Sequence, residues 1–258
     1  MGFVFAFVVG VVLGLLGGGG SILTVPILVY VMDINPVLAT GYSLFIVGVS
    51  ALIGTQRFIV AKQVDFKIGT IFAIPSFLGV FICRKWILPT IPDLVFQFGS
   101  FELSKERFLL LFFAVIMLIA GLSMVFSRRK DNSEGLKKLI FPLIALEGFI
   151  VGALTGLVGA GGGFLIIPAL VILTGLDIKK AIGTSLMIIA FKSLFGFLGE
   201  LGNEIDWSLL LIFTFISCIG IFVGTYISKF VNGNSLKRYF GIFVLLFSIF
   251  IFVKELLL

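Results

Sequence analysis

Gly14-Leu15-Leu16-Gly17-Gly18-Gly19-Gly20 interrupts one apolar run of this chain, and Gly156-Leu157-Val158-Gly159-Ala160-Gly161-Gly162 interrupts another in the same way. Beyond each cluster, at the same spacing, stands a proline, Pro26 and Pro168. The same offset pairs Ala39 with Ala181, Gly41 with Gly183, Ser43 with Ser185, Leu44 with Leu186, Leu52 with Leu194 and Gly54 with Gly196. After a one-residue slip, Val64-Asp65-Phe66 pairs with Ile205-Asp206-Trp207, and Gly79 with Gly220. Unrelated apolar helices share Leu and Val by chance, but they do not share a register of Gly, Pro, Ser and Asp. The chain reads as a duplication.

Of the 258 residues, 60% are hydrophobic and 12% charged. A soluble domain carries roughly 45–50% apolar and about 25% charged residues, and a chain this apolar could not bury the excess away from water. Lipid is the solvent that suits it, and the length counts membrane crossings rather than soluble domains. Eight apolar segments follow, roughly 3–32, 37–60, 66–88, 107–127, 139–174, 178–199, 207–230 and 236–257. The distinctly charged connection is 128–138, so the halves are 1–127 and 139–258 with a basic linker between them. Residues 1–16 lack a basic start and a small-residue cleavage pattern, and are expected to remain in the mature chain.

A helix should break at Gly17 to Gly20, since each glycine costs about 1 kcal/mol against alanine. The arm after the break, 21–32, reaches only about 18 Å at 1.5 Å per residue, short of the roughly 30 Å hydrocarbon core. The arm at 164–173 is equally short. Broken backbone at membrane depth must be buried in protein or line a wet cavity.

Loop charges then set the topology. With the 128–138 linker in the cytoplasm, a single crossing by the fifth segment would put every later loop on the wrong side. If that segment folds back to its starting side, Lys179 and Lys180 lie inside, Glu200, Glu204 and Asp206 outside, and Lys229, Lys237 and Arg238 inside. The same folding of the first segment puts Asp33 outside and Arg57, Lys62 and Lys67 inside. The expectation is an all-α polytopic membrane protein of two inverted-topology repeats. Each holds one glycine-broken, folded-back element plus three crossings, an arrangement suited to a secondary transporter.

The breaks also suggest chemistry. The first N–H groups of a helix have no internal partner and carry partial positive charge, and glycine lets an oxyanion approach them. The candidate substrate-binding donors are Gly19, Gly20 and Ser21 in one half and Gly161, Gly162 and Gly163 in the other. Ser43, Thr184 and Ser185 stand early in the following segments and could line the same cavity. For Gly14, Gly41, Gly54, Gly79 and their partners, close helix packing is the preferred reading.

Lys192 lies within an apolar run; it either snorkels to the interface or serves as counter-charge to an anion. Glu147 pairs with Lys192, carries a coupling proton or faces a wet crevice. Arg57 is expected to anchor its segment, with Gln56 able to reach the cavity, and Trp86 and Trp207 fit the interfacial belt. With no histidine, and with Cys83 and Cys218 far apart, no metal, cofactor or general acid–base chemistry is expected. The +6 charge is dispersed over loops and does not form a nucleic-acid-binding stripe.

The paired Gly-rich motifs with their prolines, the Gly-x-Ser-Leu starts of the next helices and the basic central linker resemble the TauE/SafE sulfite exporter family. Gly159-Ala160-Gly161-Gly162-Gly163-Phe164 with Pro168 is the most specific part. The resemblance implies a bacterial or archaeal inner-membrane permease that moves sulfite, sulfonates or similar anions. A proton or a sodium ion is the candidate coupling ion for such a carrier. An anion channel of the same fold, a permease for another small organic anion, an intramembrane enzyme and a receptor subunit are the rival readings.

Overall fold

The structure, a computed structural model, describes residues 2–18, 20–98, 101–126, 140–159, 161–202, 205–228, 230 and 233–257. Gly19, Glu204, Lys229 and the 128–138 linker lie outside the described residues.

The first half holds α1 (Gly2–Leu16), α2 (Ser21–Tyr30), α3 (Pro36–Val60), α4 (Phe66–Thr90) and α5 (Lys105–Phe126). The second repeats the order with α6 (Ile140–Val158), α7 (Gly163–Thr174), α8 (Ile178–Phe197), α9 (Trp207–Ile227) and α10 (Gly233–Leu257). Among the described residues, five helices are long and apolar enough to cross a membrane: α3, α4, the main part of α6, α8 with the 3-10 turn that extends it to Glu200, and α9. The chain is thus an α-helical, multi-pass membrane protein.

The breaks fall where the glycines demanded them. Gly17 and Gly159 each end a helix in the left-handed region, at φ +61° and +70°, where a side chain would be strained. The helix starts are written locally too. Asn35 accepts from Val37 N–H ahead of Pro36. Asp65 and Asp206, matched in the repeat, accept at 3.0 Å from Ile68 N–H and Leu209 N–H at the starts of α4 and α9.

Helix contacts keep the register of the duplication. α1 lies along α9 and α6 along α4; α3 packs on α9 and α8 on α4; α3 meets α8, and α5 meets α10. In lipid such contacts depend on close packing rather than on apolar burial, and glycines provide it. A methyl on Gly10 would strike the Ser217 carbonyl, as one on its counterpart Gly152 would strike that of Ser76. Gly79 against Phe149 O and Gly220 against Phe7 O form a second matched pair.

α3 and α8 run antiparallel. The start of α3 meets the end of α8, where Gly41 faces the Glu200 carboxylate, and the start of α8 meets the end of α3, where Gly183 faces Phe58 and Gln63. Two matched hydrogen bonds close the opposite ends: Asp65 N–H donates to Thr184 Oγ1 at 2.9 Å, and Asp206 N–H donates to Tyr42 Oη at 2.7 Å. Gly2 packs against Met32, so the chain returns at the end of α2 to the level at which α1 began.

The apolar pattern did not reveal two features. Leu94–Phe98 and Phe101–Ser104 pair as an antiparallel hairpin, β1 and β2, between α4 and α5; the Gly99-Ser100 pair between aromatic-rich runs is its sequence signal. In α4, Cys83–Ile87 winds as a π turn, with Leu88 N–H donating to Cys83 O. Pro89, next in the chain, has no N–H with which to continue an α ladder.

Candidate functional site

The two breaks meet each other. A methyl on Gly18 would overlap Gly163, and one on Gly163 would overlap Gly18, so the backbones of the two halves touch at these residues. A methyl on Gly161 would lie 3.0 Å from Ser21 Cβ, with Val47 of α3 and Ile189 of α8, which occupy matched positions, packed around it. One turn before those two stand Ser43 and Ser185, both fully buried.

The two clusters differ in what their donors do. Ser21 directs both its N–H (3.2 Å) and its hydroxyl (2.6 Å) to Gly18 O. Gly20 is pressed against the backbone of Val9 and Leu13 in α1. Ser185 donates to Gly17 O at 2.7 Å, which ties α8 to the first break. Its counterpart Ser43 has a buried hydroxyl with no partner among the described residues, as have Thr24 and Ser193. Thr184 is used elsewhere, as the acceptor that holds Asp65 at the start of α4.

At the second break, Gly162 takes φ +69° and caps α7, its carbonyl accepting from Leu165 and Ile166 N–H. Lys192 reaches this point from α8. It is fully buried, so its stem does not snorkel. Its Nζ donates to Thr155 Oγ1 at 2.7 Å, and a methyl on Gly162 would stand 2.8 Å from that Nζ. Thr155, whose hydroxyl in turn donates to Gly152 O, escaped the sequence reading; its place one residue before Gly156 is the signal that could have found it. An ammonium and the positive end of a helix therefore share one spot. Both carry positive charge, so the two repel each other.

Glu147 does not join them. It lies eleven residues before the end of α6, about 16 Å along the helix. One of its carboxylate oxygens is buried without a hydrogen-bond partner, and it forms no ion pair with Lys192. Gln56 is exposed. Arg57 donates from Nη1 to Phe222 O at 2.9 Å and to Thr225 Oγ1 at 3.0 Å, anchoring α3 to α9.

The ion pair between Arg84 and Glu200 was not anticipated. Arg84, in the π turn, is buried and donates to Glu200 Oε1 at 2.8 Å; its Nε and Nη2 have no partner among the described residues. It joins the end of α4 to the end of α8. At the matched place in the other half, Thr225 receives Arg57 instead, so a polar link closes each end.

A family model described as "Sulfite exporter TauE/SafE" matches residues 2–251. A "Probable membrane transporter protein" of Xylella fastidiosa strain Temecula1 is 31% identical over 251 residues, covering 94% of this chain and 90% of that one. The "Probable membrane transporter protein YunE" of Bacillus subtilis is 29% identical over 232 residues, 80% and 81% of the two chains. A Haemophilus influenzae protein with the same transporter description is 27% identical over 269 residues, 95% and 94%. No solved structure matches.

Proposed function

The chain belongs to the TauE/SafE sulfite exporter family of membrane transporters, and on that premise we propose that it is a secondary carrier exporting small sulfur-containing anions such as sulfite or organosulfonates. The observation that carries this reading is the Lys192 ammonium beside Gly162 at the start of α7. Gly161 to Gly163 supply backbone donors, Lys192 the counter-charge, and Ser21, Ser43 and Ser185 the surrounding hydroxyls. At the first break Gly20 is held against α1, and Thr184 acts from near the start of α8 by holding Asp65 ahead of α4.

The two halves are inverted repeats, each with three crossings, and one rocks against the other around the paired breaks. The exchanged helix contacts, the antiparallel α3 and α8 and the return of α2 to the level of Gly2 support this reading. Glu147 is the coupling candidate, with a proton or sodium ion as its partner, because an unpaired carboxylate at membrane depth is costly unless it is used. The membrane is the plasma or inner membrane.

The test is counterflow of radiolabelled sulfite, thiosulfate, sulfoacetate and taurine in proteoliposomes, with Lys192→Gln and a Gly161→Ala/Gly162→Ala variant in parallel. Saturable counterflow that weakens in both variants supports the carrier and its site together. A large conductance without counterflow identifies a channel, and wild-type protein that moves none of the four anions removes the substrate class.

A further inference from the structure

We infer that the crevice between α3 and α9 is a binding site for one anionic phospholipid of the leaflet on the Arg57 side. A crevice of about 520 Å³ opens there, with Val49 and Ile53 of α3 on one wall and Cys218, Ile219 and Phe222 of α9 on the other. The duplication supplies its control. The matched contact, α8 on α4, places Phe191 where Val49 stands, Phe195 where Ile53 stands and Phe77 where Cys218 stands. There the rings fill the space themselves, with centroids 4.6 Å apart for Phe191 and Phe195 and 5.4 Å for Phe77 and Phe195. The α3–α9 crevice is therefore a slot whose own filler is missing, and apolar bulk must come from outside.

Shape and charge together select the occupant. Phe45, Val49, Ile53 and Arg57 follow one another at four-residue steps along α3. The slot is about 18 Å long from Phe45 to Arg57, against roughly 15 Å for one leaflet of the hydrocarbon core. Its walls offer an anionic substrate nothing: the Thr214 hydroxyl donates to Leu210 O, and Cys218 pairs with Ser50. At its end stands the Arg57 guanidinium, bound to an uncharged carbonyl and hydroxyl and, among the described residues, not to a carboxylate. A phosphate group suits that end and an acyl chain suits the slot. In the filled contact the matched position is Gly199, and the nearby Arg84 is neutralised by Glu200. That contact has neither the space nor the unpaired cation.

Native mass spectrometry of the full chain in mild detergent tests this. The protein is titrated in parallel with phosphatidylglycerol and phosphatidylcholine of identical acyl chains. Wild type should retain one phosphatidylglycerol in preference, and Arg57→Gln should erase the preference while leaving some binding of both. Filling the slot after its sister's pattern, with Val49→Phe and Cys218→Phe, should lower occupancy by both lipids about tenfold in protein that stays monodisperse. Three outcomes overturn the proposal: equal retention of the two lipids by wild type, undiminished phosphatidylglycerol on the filled variant, or filling that turns a dimer into monomers. The last would assign the slot to a second copy of the chain.

Discussion

At Lys192 the ammonium is surrounded by protein, and its described partner is a neutral hydroxyl, Thr155 Oγ1 at 2.7 Å. If it is the substrate's counter-charge, Lys192→Gln removes a charged hydrogen bond worth about 1.5–3 kcal/mol. The apparent KM for the transported anion should then rise about 10- to 150-fold, with the protein still folded, because the same change also relieves a buried charge. A KM unchanged in initial-rate uptake would leave Lys192 a structural residue. Glu147 is separable by a different assay. Glu147→Gln should preserve counterflow, which needs no net driving ion, and abolish accumulation driven by an imposed proton or sodium gradient. Loss of both activities together would mean that Glu147 supports the fold and not the coupling.

Between elements, the tightest contacts are glycine against backbone. A methyl at Gly152 has no room beside the Ser76 carbonyl, and overpacking of this kind costs about 1–3 kcal/mol. Gly152→Ala should lower the thermal unfolding midpoint in detergent. Gly202→Ala, where nothing lies within 4 Å, should leave it nearly unchanged. The Arg84–Glu200 pair carries a different signature. Removing one partner, by Arg84→Met or Glu200→Gln, leaves a buried charge or a set of buried donors without its counterpart and should cost about 3–5 kcal/mol. The double variant Arg84→Met/Glu200→Leu should recover much of that loss, because two apolar side chains leave no orphaned charge. If the double variant is no better than the single ones in the same melts, the pair is not what joins α4 to α8.

For the molecule as a whole, the decisive relation is between Asp65 and Asp206, which stand at opposite ends of the α3–α8 pair through the Asp65–Thr184 and Asp206–Tyr42 bonds. Single cysteines placed at Lys62 and Gly202 should therefore react with an impermeant maleimide from opposite sides of a sealed vesicle, Lys62 from the cytoplasmic side. Reaction of both from one side would end the inverted-repeat reading. The proposed three crossings per half would lead to this outcome, because an odd number turns the second copy over.

Periodicity, glycine and charge are local properties, and they marked out the apolar runs, including those that begin at 66 and 207, and the two breaks from sequence. A glycine run costs helix energy whatever surrounds it, and an Asp cap reaches only its own next turn. The strands Leu94–Phe98 and Phe101–Ser104 carry a local signal as well, but a weaker one than the long apolar runs on either side of them. Contacts between helices far apart in the sequence had no such signal. Lys192 and Thr155 are 37 residues apart, and Arg84 and Glu200 116 apart. Only the packing of α8 against the neighbouring helices decides that an ammonium meets a helix start and a guanidinium meets a carboxylate. The empty slot is readable only from a pair of helix contacts, because Val49 and Phe191 are both ordinary apolar residues until α9 and α4 are laid beside them.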